Sequence, residues 1–149
     1  MWAACTHWLL YHRYQLHCKE ALNTIPQQSD LYKCIADVIK WHSQYPNDWH
    51  QAWFELQKKW SSETGCPDGV FNAFNIDAKI NSAYVVLGLL YGNGDFTKTL
   101  EIATRAGQDA DCNPSTAGGI LGAMIGYEKV PEMHSVFLFQ CPLKILPAE

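Results

Sequence analysis

Caps and stops divide this chain into short helical segments from Ser29 onward, and they leave little room for any other architecture. Ser29 and Asp30 precede Leu31, Ile35, Val38 and Ile39, apolar positions at helical spacing. Pro46 ends that segment, and Asp48 is a good N-cap for the next. There Trp49, Ala52, Trp53, Leu56 and Trp60 form a stripe, with Gln57, Lys58 and Lys59 between. Gly65, Pro67 and Gly69 break it, and Cys66–Asn75 reads as a loop. A strongly apolar helix follows from about Ala78 to Tyr91, ended by Gly92-Asn93-Gly94 in the left-handed conformation these residues tolerate. Asp95 caps a helix over Phe96 to Ala106, and Gly107 closes it. Asn113 is the expected N-cap of the last helix, with Pro114 at its first position and an end near Tyr127. Strand alternation is absent except for a weak pattern at Ser135–Leu138. The reading is an all-α bundle of five or six helices with short connections.

Composition excludes several alternatives. The chain has 149 residues, which is one domain of ordinary size, 1–149. Hydrophobic residues make up 48% and charged residues 17%, too apolar a balance for a disordered chain. The net charge is -4 and there is no basic run, so nucleic acid is not an expected partner. The longest apolar stretches, Ala83–Tyr91 and Ala117–Tyr127, fall short of the roughly 20 residues a membrane span needs. The N-terminus carries His7, His12 and Arg13 within its apolar stretch, unlike a signal peptide. Cys5, Cys18, Cys34, Cys66, Cys112 and Cys141 are widely and irregularly spaced, which reads as reduced thiols in a cytoplasmic protein. His7, His12, His17 and Cys18 lack zinc-ligand spacing, and Cys66 has no base beside it in sequence. Both ends, 1–19 and 133–149, are less well patterned than the middle.

Chemistry concentrates between Gly107 and Gly126. Asp109 and Asp111 lie two residues apart in a loop that runs into a helix N-terminus, where backbone N–H groups favour negative charge. Paired carboxylates suit a hard cation such as Mg²⁺, but on the residues alone the favoured reading is that Asp109 and Asp111 cap the helix. The helix beyond carries Gly118, Gly119, Gly122 and Gly126, although glycine costs about 1 kcal/mol at each interior position. Gly118, Gly122 and Gly126 form a strip along which a second helix or a ligand can approach the backbone. The three tryptophans Trp49, Trp53 and Trp60 read as core. His42 and His50 read as partly exposed helix residues, and Lys79 and Asn81 open the apolar helix where they could face a site.

The run Gly107-Gln108-Asp109-Ala110-Asp111-Cys112-Asn113, followed by Gly118-Gly119-Ile120-Leu121-Gly122-Ala123, resembles the C-terminal metal motif of the ADP-ribosylglycohydrolases. Asn81, Leu87-Gly88-Leu89-Leu90-Tyr91-Gly92 and Gly94-Asp95-Phe96 are similar to the segment just upstream of it. The resemblance covers roughly Ala21 to Pro131. It implies an all-α fold, an ADP-ribose-type ligand, and hydrolysis of the glycosidic bond to ADP-ribose with a pair of Mg²⁺ or Mn²⁺ ions. By the same resemblance Asp109, Asp111 and Cys112 are metal ligands, and the open strip makes Gly118, Gly119 and Gly122 the expected ligand-binding positions beside them. The Cys112 position is commonly Thr in the family, and a thiol is a softer donor than a hydroxyl.

Members of that family are about twice this length, and their N-terminal half supplies an acidic cluster and the catalytic carboxylate. Met1–Lys19 contains no Asp or Glu, and Asp30, Asp37 and Asp48 lie in cap or surface patterns. The expectation is a truncated domain with half the metal site and no catalytic residue of its own, inactive as a lone chain because two clamped ions are needed. A non-catalytic helical oligomerisation or interaction module is the alternative, and a second chain completing the site is a third reading. Exposed apolar surface left by a missing half predicts a homo-oligomer.

Overall fold

A computed structural model describes residues 16–61 and 76–134. The expected loop at Cys66–Asn75, the strand pattern at Ser135–Leu138, Cys66 and most of both termini lie outside these residues. All described regular structure is helical. Helix α1 covers 16–22. It is followed by α2 (Asp30–Gln44), α3 (Trp49–Leu56), α4 (Ala78–Gly92), α5 (Phe96–Arg105) and α6 (Cys112–Ile125). A π-helical turn over Gln57–Ser61 extends α3, and a 3₁₀ turn over Tyr127–Lys129 follows α6.

Most ends are set by the residues that the sequence marks. Ser29 accepts from the Tyr32 N–H, Asp48 from Gln51 and Asp95 from Lys98, each satisfying an N–H that the helix leaves open. Asn93 adopts the left-handed conformation at φ 50° and closes α4. The first turn of α4 is held by Asp77, whose carboxylate accepts from both Lys79 and Ile80. The start of α6 differs from expectation. Its cap is Asp111, so Cys112 is the first helical residue and Pro114 the third. Asn113 is buried within the first turn and bonds elsewhere.

Helix α4 is the axis of the domain and packs against α2, α5 and α6. It has no polar face because it is enclosed nearly all round. On one side Ile80, Tyr84 and Leu87 meet Cys34 and Val38 of α2, with Leu56 and Trp60 beyond. On the other side Val85 and Leu89 meet Ala103 of α5 and Ala117 and Leu121 of α6. Two long-range bonds tie the layers. Trp53 Nε1 donates to the Ala106 carbonyl at 2.8 Å, and the Tyr91 hydroxyl donates to the Tyr45 carbonyl at 2.8 Å. Asp37 is no mere surface charge. It receives Lys59 Nζ at 2.7 Å and Trp60 Nε1 at 2.9 Å.

The closest helix crossing runs between α4 and α5. A Cβ on Gly88 would stand 3.0 Å from the Thr99 carbonyl oxygen, and one on Gly92 would stand 2.8 Å from Thr99 Cα. Glycine at these two positions is what lets the backbones approach. His42 is also placed unexpectedly. It is 1% exposed, not a partly exposed helix residue, and its ring meets Tyr91 edge-on at 4.6 Å.

Candidate metal centre

The loop between α5 and α6 is turned by two residues with positive φ, Gly107 at 103° and Gln108 at 51°. Glycine adopts this region freely, whereas glutamine does so at a cost, a pattern typical of functional sites. The turn carries Asp109 over the N-terminal end of α4. The Asp109 N–H donates to Asn81 Oδ1 at 3.2 Å, and Gln108 Oε1 accepts from Asn81 Nδ2 at 2.7 Å. Asn113 Nδ2 donates to the same Asn81 oxygen at 2.7 Å, from the first turn of α6.

This framework brings Asp109, Asp111 and Cys112 together. One ligand atom from each, two carboxylate oxygens and a thiol sulfur, lies within 4.8 Å of the others. It is the one such group of three His, Cys, Asp or Glu side chains among the described residues. Asp109 Oδ1 and Asp111 Oδ1 both accept from the Cys112 N–H, at 3.1 Å and 2.9 Å. The Asp111 carboxyl, which donates to Asp109 only while it is itself protonated, and then that N–H hold the Asp109 carboxyl below its ordinary range. The Cys112 thiol is pushed up by its hydrogen bond to Asp109 and by the two negative charges beside it. The group is exposed on one side, as a site open to a ligand must be. Ionised oxygens fit a hard divalent cation, and a thiol between them is a softer third donor.

The glycines of α6 divide by role. A Cβ on Gly118 would meet Leu100 Cδ2 at 2.9 Å, so Gly118 admits α5. Gly122 faces the Phe96 ring at 3.8 Å, and Gly119 has open space. Gly126 stands outside the helix as its C-terminal cap, at φ 83°, and so falls out of the expected strip. Gly118, Gly119 and Gly122 line an open apolar groove of about 590 Å³ with Phe96, Leu100 and Tyr127.

The sequence points to Asp109, Asp111 and Cys112, and the structure brings all three side chains together. It points only weakly to Asn81, and it presents Asn113 as a cap. The signals for Asn81 are an asparagine placed near the start of an otherwise apolar helix and its place in the segment that resembles the family's stretch upstream of the motif. Lys79, the other residue marked there, turns to Asp77 at 3.8 Å.

An all-helical domain that presents two carboxylates and a thiol at a helix start defines a class of candidate cation-binding domain. Comparison with known families makes this specific: residues 1–137 match the ADP-ribosylglycohydrolase family. The chain belongs to that family. The match extends beyond 21–131 in both directions and takes in the N-terminal segment. No curated protein and no solved structure matches the chain. No helix among the described residues is long and apolar enough to cross a membrane.

Proposed function

We propose that this chain is an ADP-ribosylglycohydrolase-like domain that holds a divalent cation, Mg²⁺ or Mn²⁺, through Asp109, Asp111 and Cys112. The observation that carries the reading is the convergence of those three ligand atoms at the start of α6 in a member of this family. The ligand beside the cation is of the ADP-ribose type, with Gly118, Gly119 and Gly122 leaving backbone open to it. A bound cation supplies a Lewis acid that polarises an oxygen of the ligand. Asp109 and Asp111 contribute the charge that holds it, and Asn81 and Gln108 hold the loop. The described residues contain no second cluster of this kind to clamp another ion. Hydrolysis by these residues alone is therefore not part of the proposal. An exposed Cys112 thiol fits the cytoplasm, where thiols stay reduced.

The test is a calorimetric titration of ADP-ribose into the purified chain with Mg²⁺ present, beside the double variant Asp109→Ala, Asp111→Ala. Heat of binding in the parent chain and none in the double variant is the expected result. No heat in either protein, or equal heat in both, overturns the reading.

A second reading, a non-catalytic interaction module, is favoured by the apolar side chains exposed at Ile120, Tyr127 and Met133 along and after α6. It predicts self-association. Light scattering at micromolar concentration should then give a mass above that of one chain, and a monomer there removes the oligomer.

A further inference from the structure

Asn81 sits in the most enclosed helix of the domain and is 7% exposed. Its neighbours along α4, Ile80, Ala83 and Tyr84, show that this part of the helix is otherwise built for packing. A buried amide is tolerated only when its donors and acceptor are satisfied.

The orientation of the Asn81 amide is fixed by two backbone groups. Nδ2 donates to the Asp77 carbonyl at 2.9 Å, and Oδ1 accepts from the Asp109 N–H at 3.2 Å. A carbonyl cannot donate and an N–H cannot accept, so the amide has one possible sense. That choice propagates to the other side chains. The second Nδ2 hydrogen needs an acceptor, which is Gln108 Oε1 at 2.7 Å. The second lone pair of Oδ1 takes Asn113 Nδ2 at 2.7 Å. Gln108 Oε1 also accepts from the Asp77 N–H at 3.2 Å.

The two halves of the amide therefore have different duties. Its donor side binds the start of α4 and the turn at Gln108. Its acceptor oxygen binds residues 109 and 113, which bracket Asp111 and Cys112. One oxygen atom thus grips the ligand-bearing segment at both ends. We propose that Asn81 is the positioning residue of the cation site, and that the affinity for the cation depends on its acceptor oxygen. The proposal rests on the reading of Asp109, Asp111 and Cys112 as a cation site. It adds to that reading a residue which touches no cation and orients the groups that do.

The test uses Mn²⁺ alone as the probe, with the free ion counted by electron paramagnetic resonance, and two variants of the full chain. Asn81→Leu keeps the branched outline and the number of heavy atoms, though its methyl groups are larger, and removes all four bonds. Asn81→Asp keeps both acceptor bonds and loses the two donors. The Gln108 amide can turn its Nε2, unpaired among the described residues, toward the new carboxylate, giving up its bond from the Asp77 N–H. Asn81→Leu is expected to weaken Mn²⁺ binding about tenfold or more, and Asn81→Asp to stay within about threefold of the parent chain. Circular dichroism establishes that each variant is folded at the temperature used.

Unchanged affinity in Asn81→Leu overturns the proposal. So does an Asn81→Asp variant that loses as much affinity as Asn81→Leu, because a role in folding alone does not distinguish the two. If Asn81→Leu does not fold, Asn81→Asp decides: retained affinity supports the proposal and lost affinity overturns it. A parent chain that binds no Mn²⁺ overturns the cation reading itself. A parent chain that binds Mn²⁺ beside an unaffected Asn81→Leu overturns only the role of Asn81.

Discussion

Gly92→Ala should cost about 3 kcal/mol of stability or more, a large share of what holds a domain of this size folded. The new Cβ would fall 2.8 Å from Thr99 Cα and 2.8 Å from Thr99 Cβ, inside van der Waals contact. Turning the Thr99 rotamer moves Oγ1 but leaves Cα and Cβ where they are. Relief therefore requires α4 and α5 to separate, and that opens the layer holding Val85, Leu89 and Ala103. Gly88→Ala meets the Thr99 carbonyl at 3.0 Å and Ala103 Cβ at 3.1 Å, so its cost is smaller and of the same kind. Urea unfolding followed by circular dichroism measures both. Equal stability of Gly92→Ala and the parent chain would mean that the two helices are not packed as closely as this.

The second large effect is a dependence of stability on pH through His42. Burial lowers its pKa from 6.5 to about 4, because the charged ring loses its hydration. The unfolded chain therefore binds a proton that the folded chain refuses, throughout the window between those values. The His42 contribution is fully present above pH 6.5, falls as the pH drops through the window, and levels off below about 4. The whole loss is about 3 kcal/mol. Replacing the ring by leucine removes the titrating group and should flatten the curve over this window, leaving the slope due to carboxylates. Denaturant unfolding across the window measures both proteins. Parallel curves would show that His42 is not the group responsible.

Most helices are legible from local rules. Ser29, Asp48 and Asp95 cap as their positions suggest, because a cap is decided within four residues. The continuous apolar run of α4 announces an enclosed helix for a similarly simple reason. What escapes the sequence depends on contacts between distant segments. Asn113 looks like a cap, yet it is drawn inward by Asn81, thirty-two positions earlier. Asp111 takes the capping role it leaves. The glycine spacing in α6 suggests one smooth strip, but the tightest crossing uses Gly88 and Gly92 on α4. No periodicity in one helix says which partner will lie against it. His42 follows the apolar face of α2, and its burial depends on Tyr91, which reaches it from another helix. At the candidate site, Asp109, Asp111 and Cys112 are readable because they are nearly contiguous. Their scaffold is only hinted at, because Asn81 is marked on α4 but nothing local says that it meets residues 109 and 113.

The single N–H shared by Asp109 and Asp111 has a mechanical consequence. Both carboxylates accept from the Cys112 N–H, so the first turn of α6 is capped twice over. Either oxygen alone satisfies that donor. One carboxylate can therefore turn away while the other keeps the donor paired. Such redundancy protects the helix start against single losses: removing either aspartate alone leaves the first turn of α6 closed by the other.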